Sequence, residues 1–173
     1  MKTFLAVIFL GLLMLLQSCR GEIEMTESEK NETINSAKRT VQKVFDHSNN
    51  LDFLKGLDLY SSSADSYYIN NGTILSLKEL KESYREIGTS IELLSNSIDS
   101  WKSVVLSRNT VVFTLPVHLR IKLKGMPEYK GQLVWSGIVH KANGKWEIIQ
   151  SHESWVDPVG AASALNPAEN DKR

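Results

Sequence analysis

The sequence predicts an α+β domain: about three helices from its first half, gathered on one face of a curved antiparallel sheet from its second. Two observations carry this. Before residue 90 the apolar residues recur at the three-to-four spacing of amphipathic helices, interrupted by one short hairpin signal. From Ser90 onward the period changes to two, over four long segments divided by turn residues.

The chain opens with Lys2, an apolar run from Phe4 to Leu16, a small residue and then Cys19, the single cysteine among 173 residues. A basic start, a short apolar stretch and a small residue before the cut make a secretory signal. As a membrane-spanning helix the run of roughly 13 residues is short against the ~20 needed. The segment resembles a bacterial lipoprotein signal, which implies cleavage after Ser18 and lipid attachment at Cys19. A plain cleaved signal would instead leave Cys19 a free thiol. The expectation is a chain exported to the cell envelope and anchored to a membrane by lipid. Arg20 in place of an aspartate favours the outer membrane over the inner.

Residues 19–32 are acid-rich and read as a tether, 33–156 as one domain, and 157–173 as a loose tail with two prolines. About 155 residues remain after cleavage, enough for a single core.

Within the domain, Ile34, Ala37, Val41, Val44 and Phe45 fall on one helical stripe, with Thr26 or Ser28 as candidate caps. Leu51, Phe53, Leu54 and Leu57 mark a second, short helix. Tyr67 to Leu75, centred on Asn71-Gly72, reads as a hairpin. Ser76, with Glu79 three residues on, caps a third helix bearing Leu77, Leu80, Tyr84 and Ile87 on one stripe. A long, kinked strand is expected over Ile91 to Leu106. A second, Thr110 to Leu123, carries Val111, Phe113, Leu115, Val117, Leu119, Ile121 and Leu123 on one face, and Thr114, Pro116, His118, Arg120 and Lys122 on the other. Strands at 132–141 and 145–155 flank an Asn143-Gly144 turn.

This order of elements resembles the NTF2-like superfamily, in its SnoaL-like or DUF4440-type branch. The likeness rests on the first amphipathic helix, Ala64-Asp65-Ser66-Tyr67-Tyr68-Ile69-Asn70-Asn71-Gly72, the helix from Leu77, and Asn143-Gly144-Lys145-Trp146-Glu147-Ile148 followed by His152 and Ser154. It implies a cone, a bent sheet wrapped around helices with a pocket at the wide end, and, as in many members, a homodimer through the outer sheet face. Members include isomerases, cyclases, dehydratases and non-enzymes, so the fold does not name the function.

A two-residue turn at Asn143-Gly144 sets a register without the family. Ala142 then pairs with Lys145, Val139 with Ile148, Gly137 with Gln150, Trp135 with His152 and Leu133 with Ser154. Paired residues share a face. On this reading Trp135, Gln150, His152 and Ser154 line an inner, ligand-binding cluster, with Tyr68 and Trp101 as neighbours. His152 is the candidate general base, and Asp65 the alternative, with Tyr60, Tyr68 and Tyr84 as phenols. Asp65 also fits a plain turn cap, and His152 a core histidine.

No histidine pair has metal-ligand spacing, so no metal is expected. Phosphate loops and nucleophile elbows are absent, so no cofactor is expected. With 20 basic and 20 acidic residues and no basic stripe, nucleic acid is excluded as a partner. Two classes of function remain. One is a non-catalytic, membrane-anchored module that binds a small apolar ligand or a partner protein in the cone. The other is a SnoaL-like isomerase, cyclase or lyase using His152 or Asp65. A carboxylate deep in the cone separates them, and the register above places none there.

Overall fold

The computed structural model describes residues 24–70 and 72–165. The signal segment and Cys19 lie outside the described residues.

Helix α1 runs Glu27–Asn49. It begins earlier than its apolar stripe because Thr26 and Glu29 form a reciprocal capping box, so the second half of the expected tether is helical. Ala37, Val41 and Phe45 are buried along it. Helix α2 (Phe53–Leu57) folds back on α1, and its Gly56 packs close to the α1 backbone. Strands β1 (Tyr67–Asn70) and β2 (Thr73–Leu75) form the expected hairpin; Gly72 takes a positive φ of 79°, and Asn71 is outside the described residues. Helix α3 (Leu77–Gly88) carries the expected Ser76–Glu79 capping box and buries Leu80.

The single strand expected from Ile91 to Leu106 is two, β3 (Ile91–Ile98) and β4 (Lys102–Ser107), both paired with β5 (Thr110–Leu123). The break lies opposite Pro116. Its carbonyl accepts from Asp99 N–H at 3.0 Å, but proline has no N–H to return, so the ladder opens there. All seven inward residues expected on β5 are buried. Strands β6 (Tyr129–Ala142) and β7 (Lys145–Trp155) complete the sheet, joined by Asn143 (φ 51°) and Gly144 (φ 81°), both left-handed as a two-residue hairpin turn requires.

The strand order is β2-β1-β7-β6-β5-β3, with β4 also on β5. The sheet is mixed rather than wholly antiparallel, because β1 runs parallel to β7. Helix α4 (Pro158–Leu165) replaces the first half of the expected loose tail. Asp157 Oδ1 accepts from Gly160 N–H at 2.9 Å, Pro158 sits in the first turn, and Ala161 is buried.

The buried residues form two clusters. One centres on α1, β6 and the first half of β5 (Val41, Phe113, Val139); the other on β3 and the second half of β5 (Leu94, Leu119, Ile121). Residues of both clusters border one cavity.

Candidate functional site

The cavity has a volume of about 190 Å³. Residues from both clusters line it, among them Phe45, Phe53, Leu80 and Leu119, together with Tyr60, Tyr68, Tyr84, Trp135, Ser151, Glu153 and Trp155. It is an apolar, aromatic hollow with few polar groups, the usual make-up of a small-molecule site.

The β6–β7 register decides which polar groups enter it. Ala142 pairs with Lys145 and Val139 with Ile148, as expected from the turn. One residue on, the register shifts: Ile138 pairs with Gln150, leaving Ile149 as an extra, unpaired residue. The bulge has a visible cause, since the neighbour of β7 changes at this point. Before it, Ile148 exchanges backbone bonds with the Leu59–Ser61 loop (Ser61 N–H to Ile148 O, 2.8 Å; Ile148 N–H to Leu59 O, 3.0 Å); after it, Gln150, Ser151 and His152 pair with β1.

An inserted residue turns every later side chain to the other face. Trp135 pairs with Glu153, not His152, and Leu133 with Trp155, not Ser154. Gln150, His152 and Ser154 therefore lie on the outer face, paired with Ile138, Ser136 and Val134, and do not line the cavity. Trp101 is also outside it: its ring meets Phe113 edge-on at 5.7 Å, beneath the Lys38 ammonium at 4.4 Å. Asp65 is exposed in the turn before β1, where its N–H donates to Ser63 Oγ. Of the expected cluster, Tyr68 and Trp135 line the cavity. The Tyr68 hydroxyl donates to the carbonyls of Ser61 (2.5 Å) and Ile148 (3.2 Å), which fixes the loop carrying Tyr60. The Trp135 indole lies over Gly137, where a Cβ would collide with it, and meets Phe45 edge-on at 5.9 Å.

Glu153, Ser151 and Trp155 are the lining residues that the expected register hid. Glu153 makes no hydrogen bond or ion pair among the described residues, and no Lys, Arg or His lines the cavity. By area it is half-buried, because it fronts the cavity, but protein surrounds it on the scale that governs solvation. That burial lifts its carboxyl from the ordinary 4.5 to about 7. The phenols above it respond. Tyr60 is held well above its usual value by burial and then by the charge of Glu153; Tyr84 by Glu153 first and then by burial. Tyr68, buried beneath Ser61, is pushed up to about 12. Tyr84 is set over the cavity by stacking on Phe53 at 5.3 Å. The site thus pairs a carboxyl that changes charge near neutral pH with phenols that stay protonated as donors. It can accept a proton from a bound molecule and hydrogen-bond the charge left behind.

No protein-family profile and no curated protein sequence matches the chain. Its structure does have counterparts. It is similar to a nuclear transport factor 2 (NTF2-like) superfamily protein from Salmonella enterica, at a TM-score of 0.66 and 15% identity, over 73% of this chain and 92% of that one. It is similar to a ketosteroid isomerase-like protein from Erwinia carotovora (TM-score 0.63, 14% identity, 73% and 98% covered). It also resembles hexachlorocyclohexane dehydrochlorinase LinA-type3 from Novosphingobium barchaimii (TM-score 0.65, 7% identity, 76% and 91% covered). At these identities the likeness is one of fold. The expected cone is present, and the chain has the NTF2-like fold.

Proposed function

We propose that the domain is an enzyme that moves a proton on a small, mostly apolar molecule held in the cone, as an isomerase or lyase does, with Glu153 as its base. The observation that carries this is the unpaired Glu153 carboxyl facing an aromatic cavity. It is the deep carboxylate whose expected absence favoured a non-catalytic binder. With an ionisation midpoint near 7, the group is matched in basicity to work at neutral pH. It takes a proton from carbon beside an electron-withdrawing group. Tyr60 and Tyr84, still protonated, donate to the oxygen on which charge gathers. The proton then returns elsewhere on the molecule, or a neighbouring group departs. The names of two structural neighbours, a ketosteroid isomerase-like protein and a dehydrochlorinase, fall in these two classes.

The test uses 3-cyclohexen-1-one, followed by ultraviolet absorbance as it becomes the conjugated isomer. The full chain should accelerate the conversion, and Glu153→Gln should slow it by about 100-fold or more. His152→Ala and Asp65→Ala should leave the rate as it is. A wild-type rate no faster than buffer would overturn the enzymatic reading; binding of the ketone without conversion is the behaviour of the non-catalytic module.

Anchoring and assembly complete the proposal. The apolar run before Cys19 supports lipidation there and a place on the envelope, at the outer membrane in preference to the inner. Cys19→Ser should move the protein from the membrane fraction to the soluble fraction; a variant that sediments with membranes and incorporates labelled lipid would contradict this. The outer sheet face supports a homodimer: Val104 and Val134 are 60% and 37% exposed there, beside Thr114 and Pro116. Sedimentation at micromolar concentration should give twice the chain mass, and a strictly monomeric mass would sink the dimer.

A further inference from the structure

The domain has one end near Cys19 and another that holds the cavity. Thr26, which caps α1, stands seven positions after Cys19. In the first turn of α1 the Glu29 carboxylate is bound by the Arg108 guanidinium, which pins this end of the helix to the β4–β5 turn. That turn meets the β6–β7 hairpin, where Lys141 N–H donates to Asn109 O at 2.8 Å. The cavity is at the opposite end: its lining residues on α1 are Val44, Phe45 and Ser48, and those on β5 are Leu119 and Ile121. Along the helix axis Val44 is about 27 Å from Thr26. Along the strand Leu119 is about 30 Å from Thr110, the residue after the β4–β5 turn. Helix and strand thus give the same separation of the two ends.

That separation exceeds the reach of the chain between lipid and domain. Seven positions span about 25 Å when fully extended, and about 15 Å as an unconstrained segment. With lipid on Cys19, the cavity end could touch the membrane only by lifting Thr26 about 27 Å or more above it. The turn end meets no such limit, and it carries side chains suited to the contact. Leu106, beside the β4–β5 turn, is 56% exposed. The Lys141 ammonium lies over the half-buried Trp146 ring at 6.0 Å and makes no ion pair among the described residues. Arg108 and Lys145 balance Glu29 and Glu147. With those charges cancelled, a leucine, a tryptophan and a lysine remain, the types that a lipid headgroup layer accommodates.

We propose that the paired turns at Arg108-Asn109 and Asn143-Gly144 rest on the headgroups of the anchoring membrane, with Leu106, Lys141 and Trp146 in contact, and that the cavity end is held away from the lipid, in water. This rests on the preceding reading that Cys19 is acylated, and adds a contact surface and an orientation to it. A molecule then reaches Glu153 from the aqueous compartment and not from the bilayer.

The experiment uses the full lipid-bearing chain in vesicles of phosphatidylethanolamine and phosphatidylglycerol that contain a spin-labelled lipid as quencher. With lipid on the Cys19 sulfur, an introduced cysteine is the single free thiol and takes a fluorescent label. Leu106→Cys and Asn109→Cys report on the turn end, and Leu54→Cys, on α2, on the cavity end; all three positions are exposed. The two turn labels should lose most of their emission to the quencher, and the Leu54 label should keep its own. A second chain carries a flexible insert of about 20 glycines and serines after Glu22, which adds about 25 Å of reach. The turn labels should stay quenched in it, because the surface and not the short connection then holds the end down. In that longer chain, Leu106→Asp with Lys141→Glu should restore the emission of the Asn109 label. Equal quenching at both ends, stronger quenching at Leu54, turn labels released by the insert alone, or an Asn109 label still quenched in the double variant would each overturn the proposal. The two readings fail differently. A chain that stays off the vesicles, with a reactive Cys19, defeats the anchoring reading and this one with it; an anchored chain with any of the four contrary patterns defeats this one alone.

Discussion

Trp135→Ala should destabilise the domain by about 3–5 kcal/mol and abolish ligand binding in the cone. The residue is 3% exposed, packs against Gly137 and is braced edge-on by Phe45, so nothing nearby can collapse into its space without moving the sheet or α1. Truncation removes the lost transfer energy of a large aromatic group and leaves a hole continuous with the cavity. Trp135 also faces Glu153 directly across the β6–β7 ladder. Water admitted by the mutation should therefore bring the Glu153 carboxyl back toward its ordinary range. Urea unfolding measures the first effect. A loss under about 1 kcal/mol would mean that the ring is not the wall of the cone.

The second large effect is a pH dependence centred on Glu153. Its neighbours across the cavity are the phenols of Tyr60 and Tyr84, with Trp135 and Ser151 beside it on the sheet; none of these supplies a positive charge. The folded state holds the proton up to about 7, whereas the unfolded chain releases it near 4.5. Between those values the folded state binds more protons, so stability falls as pH rises through the window, and the full penalty stands above about pH 7. A shift of that size corresponds to about 3 kcal/mol, trimmed to about 2 by water in the cavity. Glu153→Gln should match the wild type at pH 4 and exceed it by about 2 kcal/mol at pH 8. Glu29 acts in the opposite sense. The Arg108 guanidinium, followed by bonds from Thr26, holds its carboxyl down to about 2, so its contribution is lost only under acid conditions. It is common to both proteins and cancels in their comparison. Parallel stability curves for the two proteins would show that Glu153 is already solvated.

Local signals located most of the fold. Capping boxes at Thr26 and Ser76 set two helix starts, Asn143-Gly144 set the last hairpin, and strict alternation set the face of β5. The register set by that turn does not extend past Ile148. The turn determines pairing only until something else binds the strand, and here the partner of β7 switches from the Leu59–Ser61 loop to β1. That pairing is parallel and joins residues some eighty positions apart, so no neighbouring residues announce it. A trace of the bulge was nevertheless present in the strand. Trp146 and Ile148 occupy even positions, Ile149 and Trp155 odd ones, and one apolar face cannot contain both pairs without an inserted residue. Counting back from Trp155 would have turned Glu153 and Ser151 inward and His152 outward. The tail differs from expectation for a separate reason. Its alanines and Pro158 follow Asp157, which caps them as a helix whose Ala161 is buried.

Glu153 is the titrating group of the cone, and the most direct test of this is its own ionisation. The side-chain carboxyl carbon should be followed by ¹³C NMR in glutamate-labelled protein, with Glu153→Gln identifying the signal. A midpoint near 7 is the predicted result; a midpoint near the ordinary 4.5 would place the carboxyl in water and contradict the site, the base and the chemistry built on them.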